Sequence, residues 1–309
     1  MRLGLGLAAA LVVAACDMVA PVEPVLTPRA RPAPQAATPA PPAVRPTSEA
    51  SARLRAYFTS VQRAQLTQGL LRQDGGGVDT PFSADMLARN FRRIAFFSEY
   101  GSSVGVSGRL RRYEDPVRMQ VIHGAAMPPS ERAQADRDVA AYAARLARAT
   151  GHPISVGRDP NFLVYFVSED DRRETILGTA PDLLGLDERN LRPILDLGED
   201  IYCAVISYRA ADNQAAYGAS VAVIRSENPD LLRLSCIHEE LAQGLGLAND
   251  SPNARPSIFN DDDEFALLTR HDELLLQILY DDRLKTGMTL PEAEPVVRIL
   301  ARDVLGQEL

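Results

Sequence analysis

The segment from residue 228 to residue 249 constrains the fold more than any other part of the chain. Residues 228–230, Asn-Pro-Asp, have the composition of a helix start: an N-cap residue, a proline at the first helical position and an acid in the first turn. Apolar residues then recur at helical spacing at Leu234, Ile237, Leu241 and Leu245. The spacing predicts a helix with one face on a core. Gly246 predicts a left-handed C-cap that turns the chain sharply.

The polar residues of this helix have the spacing of a metallopeptidase zinc site without its histidines. Against the pattern H-E-x-x-H-x-x-G-x-x-H, Glu239 stands at the first histidine and Glu240 at the catalytic glutamate. Gln243 stands at the second histidine and Asn249 at the third ligand. Glu239 and Gln243 share a helical face because they are four residues apart, and we expect Asn249 to come back over Gln243. The segment resembles the zinc helix of metzincins, and Glu239, Gln243 and Asn249 are called the relic positions below.

The sequence downstream extends this resemblance. Residues 257–260, Ser-Ile-Phe-Asn, resemble the methionine turn of metzincins, with Phe259 at the methionine position. Thr269 and Asp272 predict a capping box that opens a helix ending near Tyr280, similar to the last helix of matrixins. The stretch from residue 236 to residue 288 also resembles a family of bacterial lipoproteins of unknown function.

The resemblance implies an α+β fold with a zincin- or metzincin-like mixed sheet, an active-site-type helix and C-terminal helices. We expect this domain over residues 101–309, preceded by a helical extension over residues 49–100. Apolar and β-branched runs favour sheet strands at 117–123, 154–156, 162–167, 203–208 and 219–224.

The relic positions carry a carboxylate and two amides, which suit a hard cation better than zinc. We therefore expect no cofactor and a pseudo-peptidase that binds a peptide or an envelope protein in the relic cleft without cutting it. In the alternative, the chain is a metal-dependent hydrolase with Glu240 as general base and a divalent metal on the relic positions. Two further interpretations stay open. In one, Glu239, Glu240 and Gln243 form only the solvated face of an amphipathic helix. In the other, the cleft has no function and the domain is only a stable folded unit carried by the linker.

The N-terminal residues predict an export signal and a lipid anchor. Residues 1–16 have a positive start, a short apolar core and the lipobox-like end Val-Ala-Ala-Cys. We expect Cys16 to be acylated and to anchor the protein on the periplasmic face of the cell envelope. Asp17 resembles a retention signal and favours the inner membrane over the outer. Residues 17–48 are rich in proline and alanine and predict an extended linker.

Cys203 and Cys236 are the two cysteines that follow the lipobox. In an oxidising compartment they predict a disulfide between a strand and the motif helix; two separate buried thiols are the alternative. The net charge of −8 and the lack of a basic run argue against nucleic-acid binding. The acidic run 261–264 predicts a solvated loop, with a calcium site as the alternative, and the four scattered histidines do not have the spacing of a ligand set.

Overall fold

The computed structural model describes residues 47–97 and 108–307. The predicted signal peptide over residues 1–16, with Cys16, lies outside the described residues. So do Asp17 and the predicted linker, except for its last two residues. None of the helices in the described residues is long and apolar enough to cross a membrane.

The predicted mixed sheet is confirmed. Its five strands are β1 (Val117–His123), β2 (Ile154–Val156), β3 (Phe162–Val167), β4 (Cys203–Arg209) and β5 (Tyr217–Arg225). The order across the sheet is β2-β1-β3-β5-β4. The first four strands in this order run parallel, and β4 pairs antiparallel with β5 at one edge.

Helices surround this sheet. They are α1 (Glu49–Thr67), α2 (Ala84–Ala95), α3 (Pro129–Thr150), α4 (Arg172–Leu177), α5 (Ala180–Leu184), α6 (Glu188–Leu195), α7 (Asp230–Gly244), α8 (Arg270–Leu279) and α9 (Leu290–Asp303). The short helices α4 to α6 are not visible as periodic patterns in the sequence because each has at most eight residues.

Both faces of the sheet are buried, as alternation along β3 makes clear. Phe162, Val164 and Phe166 belong to the larger core, which also contains side chains of α2, α3, α7, α8 and α9. The intervening Leu163 and Tyr165 belong to a second core that includes side chains of α4 and α6. A strand buried on both faces reads as a continuous apolar run, as this one does.

The start and end of α7 differ in detail from the predicted ones. The N-cap is Pro229 rather than Asn228, whose side-chain amide instead donates to the Tyr202 carbonyl at 2.9 Å. Gly244 allows close packing, because a Cβ there would lie 2.5 Å from the ring of Phe162. Gly246 follows with a φ of +125°, a positive value beyond the left-handed helical region.

The two N-terminal helices pack in different places. Leu87, Phe91 and Ile94 of α2 are fully buried in the larger core. Helix α1 has its own small cluster, in which Leu54 and Phe58 meet the α7 side chain Leu232. The division into an extension over residues 49–100 and a domain over residues 101–309 stays a prediction.

Candidate functional site

The polar face of α7 is not a solvated surface. The side chains of Glu240 and Gln243 are buried, each residue being only 4% exposed, while Glu239 is half-buried. Burial of a carboxylate and an amide on one helix face is costly unless other groups compensate it. The interpretation of these residues as a solvated face is therefore wrong.

The predicted disulfide between Cys203 and Cys236 is confirmed, and it lies against the two carboxylates. It joins the first residue of β4 to α7 across 33 residues of sequence. Carboxylate oxygens of Glu239 and Glu240 and the Cys203 sulfur all lie within 4.8 Å of one another. Because that sulfur is bonded to its partner, it is not a thiolate, and a thiolate is the form of cysteine that binds metal.

Two of the relic positions are engaged by neighbours other than the expected ones. The Gln243 side-chain amide donates to Oδ1 of Asp250 at 3.0 Å. The Asn249 amide turns away and donates to the backbone carbonyls of Arg93 at 3.1 Å and Asp250 at 2.6 Å. The expectation that Asn249 comes back over Gln243 is wrong, since Asp250 takes that place. The chain reverses at Gly246, and after this turn Asp250, one residue beyond the expected Asn249, lies next to Gln243.

Near Glu239, Tyr202 links the acidic loop to the sheet. Gln65 of α1 donates to Oδ2 of Asp263 at 2.5 Å, and the Tyr202 hydroxyl lies 3.4 Å from the same oxygen. Burial raises the pKa of Tyr202, and the charges of Asp263 and Glu239 raise it further. Burial also raises the pKa of Asp263. Glu239, the half-buried member of the carboxylate pair, therefore lies near the Tyr202 hydroxyl and the Asp263 carboxylate. Among the described residues, these neighbours do not offer a histidine ligand.

His238 lies on α7 next to Glu239 and serves the fold. Its ring stacks on Tyr142 of α3 with centroids 4.0 Å apart, and its Nδ1 accepts the backbone N–H of Leu268 at 3.0 Å. Burial lowers the pKa of His238 to about 3. The imidazole is thus neutral at physiological pH, and its Nδ1 lone pair is used within the protein.

Asp272 fastens the turn at Phe259 to the start of α8. Its carboxylate accepts hydrogen bonds from the Ser257 hydroxyl at 2.6 Å, from the Ile258 N–H at 3.0 Å and from the Thr269 hydroxyl at 2.8 Å. The predicted capping box of Thr269 and Asp272 is confirmed. Phe259 is fully buried in the larger core. The sequence indicated the capping box, but it did not indicate that the same carboxylate holds the turn.

The acidic run does not form a single cluster. Glu264 pairs with Arg72 at 3.0 Å and with Arg255 at 2.5 Å, whereas Asp263 bonds to α1. Asp261 and Asp262 are exposed. The other histidines also have internal partners: His123 with Asp136, His152 with the Asp115 carbonyl, and His271 with Asn90.

The arrangement does not fit a zinc centre on the relic positions. The donors are oxygens and amides, Gln243 is bonded to Asp250, and Asn249 faces α2. Zinc centres with open coordination positions generally rest on imidazole, thiolate and carboxylate groups that converge on one point. We derive no catalytic step through a metal here. Glu240 has the place of a general base, but it is buried against a disulfide.

A cavity beside Asn249 was not apparent from the sequence. It has a volume of about 380 Å³ and lies between α2 and the loop that follows α7. Arg89, Arg92 and Arg93 of α2 line it together with Asn249 and Asp250. The spacing of the three arginines, at i, i+3 and i+4, places them on one helix face, and that spacing is the sequence signal that could have revealed it.

The chain was compared with models of protein families. A family model described as "Protein of unknown function (DUF2927)" matches residues 84–299, which include α2 to α8, most of α9 and all three relic positions. No curated protein and no solved structure matches the chain.

Proposed function

Since the chain belongs to DUF2927, a family of unknown function, we propose its role from the site itself. The protein is a membrane-anchored periplasmic lipoprotein with a degenerate metallopeptidase-like domain. Its role in the cell envelope is non-catalytic: it binds a peptide or a partner protein, or it serves as a scaffold. The alternative is a metal-dependent hydrolase in which Glu240 is the general base.

One observation carries the non-catalytic role. Gln243 and Asn249, at the positions of a second and a third metal ligand, are used as internal hydrogen-bond donors to Asp250 and to the Arg93 carbonyl. These bonds attach the loop after α7 to the helix and to α2. Residues that once converged on a metal would, in this proposal, now fix the wall of a binding surface.

The order of elements supports the metzincin-like part of the proposal. A mixed sheet precedes α7, a buried turn at Phe259 follows it, and α8 then begins at a Thr-Asp capping box. This is the order that the sequence resemblance leads one to expect. The identification remains a proposal about ancestry, and it carries no activity with it.

Two variants of α7 separate the possible roles in cells that lack the native protein. Glu240→Gln keeps the size of the side chain and removes the base. Glu240→Ala combined with Gln243→Ala removes both polar groups. A binding role predicts that the first variant restores function and that the second, although folded, does not.

The other outcomes identify the alternatives. If both variants are folded and inactive, a base at Glu240 is required, and the hydrolase is favoured. If both restore function fully, the relic region is not the functional site and the domain serves only as a body on its tether. Thermal unfolding of each purified variant shows whether a loss of function reflects loss of fold.

The anchor is tested at Cys16. The lipobox-like residues before it and the Pro/Ala-rich stretch after it support acylation and a spacer. Cys16→Ser is expected to release the protein from membranes or to leave it unprocessed. A Cys16→Ser protein of mature size that still partitions into detergent would contradict the proposed anchor, and Asp17→Ser tests the choice of membrane.

A further inference from the structure

The cavity next to Asn249 concentrates positive charge in a chain that is acidic overall. The net charge of the chain is −8, yet three arginines of α2 line this cavity of about 380 Å³. Arg89 and Arg92 also line a second cavity of about 200 Å³ on the α9 side, where Arg298 joins them. The positive surface therefore extends along α2 and onto α9.

Few carboxylates neutralise these arginines. Glu294 bonds to Arg92 at 3.3 Å and to Arg298 at 2.9 Å, so one carboxylate serves two guanidinium groups. The side chains of Arg89 and Arg93 are exposed and do not donate a hydrogen bond to any group in residues 47–97 or 108–307.

The acidic side chains around the two cavities do not cancel this charge. The larger cavity is lined by three arginines and the carboxylate of Asp250, so its lining carries two net positive charges. The smaller cavity has Asp85 and Glu294 against three arginines, which leaves one net positive charge.

The loop after α7, which forms another wall of this cavity, is held in place by hydrogen bonds within the protein. The Asn249 amide bonds to the last turn of α2 through the Arg93 carbonyl. Ser251, in the same wall, donates its N–H to the Phe259 carbonyl at 2.8 Å. A pocket with such preformed walls loses little conformational entropy on binding.

The cavity also has an apolar side, formed by Phe97, Pro252 and Leu290. Its volume lies within the range of about 300–1,000 Å³ that is usual for small-ligand sites. Guanidinium groups bind carboxylate and phosphate through paired hydrogen bonds. An apolar wall next to such groups suits a ligand that joins one anionic group to a small apolar body.

We propose that this pocket binds a small oxyanion, a carboxylate or a phosphate, through Arg89 and Arg93, with the apolar part of the ligand on Phe97 and Leu290. The inference rests on the proposed binding role and gives it a ligand class. It does not require metal, and it does not involve Glu240.

Isothermal titration calorimetry on the full chain tests the pocket with three probes. These are acetyl-Ala-Ala with a free carboxylate, the same peptide as its carboxamide, and inorganic phosphate. The Arg89→Gln/Arg93→Gln variant is compared with Arg137→Gln/Arg148→Gln, which removes two exposed arginines of α3. Because all four side chains are exposed, we expect both variants to fold; single substitutions serve if the double variant does not.

We expect at least one oxyanion probe to bind, and we expect the Arg89→Gln/Arg93→Gln variant to bind it at least tenfold more weakly. If the preferred ligand is a carboxylate, the carboxamide should bind at least tenfold more weakly than the free peptide. Binding of phosphate alone identifies phosphate as the source. The proposal is overturned if neither oxyanion binds or if the two double variants bind equally. A negative result would overturn the oxyanion pocket only. The non-catalytic role is tested independently, by the metal content of the relic positions.

Discussion

At the scale of single residues, the relic positions are explained by what their side chains bond to. Gln243 keeps the place and the length of a ligand on α7, but its amide donates to Asp250. An amide-to-carboxylate bond in a largely buried setting contributes more than the same bond in water. The residue type at this position is therefore explained by the loop after Gly246 and needs no metal.

A double-mutant cycle measures this bond. Gln243→Ala and Asp250→Ala should be coupled by about 1.5–3 kcal/mol in the free energy of unfolding, because hydrogen bonds to charged groups contribute about that much. The matched control is Gln134 with Asp138 on α3, an exposed pair that makes the same bond at 2.7 Å. We expect that control to couple by no more than about 0.5 kcal/mol. Equal coupling in the two pairs would contradict a structural role for Gln243.

His238 predicts how stability depends on pH. Its pKa is about 3 in the folded protein, below its ordinary value of 6.5, because burial disfavours the charged ring. The unfolded chain therefore binds a proton that the folded protein rejects between those two values. Stability from this group is complete above pH 6.5 and is lost as the pH falls, by about 2 kcal/mol at pH 5.

Denaturant unfolding between pH 5 and pH 7.5 checks this prediction. His238→Gln should make the dependence shallower, even though it lowers stability at neutral pH by removing the stack on Tyr142. Burial also lowers the pKa of His152, with the same sign, so some dependence remains in the variant. Identical slopes in variant and wild type would show that His238 is not buried as a neutral ring.

At the scale of elements, α7 is held from both sides. Its C-terminal carbonyls accept hydrogen bonds from hydroxyls: Gly244 from Ser207 and Ser220 at 3.3 Å, and Leu245 from Tyr280 at 3.0 Å. The disulfide attaches its middle to β4. These links hold the polar face of the helix in one orientation against the sheet.

Loss of the disulfide should be costly. Bridging residues 33 positions apart restricts the unfolded chain and contributes about 4 kcal/mol by loop entropy. Cys203→Ser/Cys236→Ser is expected to lower the free energy of unfolding by roughly that amount, measured by denaturant titration. In natively exported wild type, both thiols should resist alkylation until a reductant is added; reaction without reductant would remove the bridge from this account.

Sequence patterns predicted the elements far better than their contacts. Three of the four parallel strands, β1, β2 and β3, were located at their observed bounds because each is a short segment with apolar or alternating residues between turn residues. The burial of Glu240 was not predicted, since it depends on packing against β4, whose Cys203 lies next to it and is distant in sequence. Asp250 was missed in favour of Asn249 because one residue of difference in the turn after Gly246 decides which side chain faces Gln243.

Across the whole molecule, the two regions that border α7 differ in charge. Around Glu239 and Glu240 are a disulfide and the ring of Tyr202, whose hydroxyl bonds to Asp263 of the acidic loop. Around Asn249 are three arginines and an open cavity. In the proposed binding role, the second region is the site and the first region supports it.

Metal analysis of the protein tests most directly the proposal that the relic positions do not hold zinc. Full-length protein purified without added metal is analysed beside Gln243→Ala and the surface control Gln134→Ala. We expect well below one zinc per chain in all three proteins. One zinc per chain in wild type and in the control, lost in Gln243→Ala, would contradict this expectation and favour the metal-dependent hydrolase.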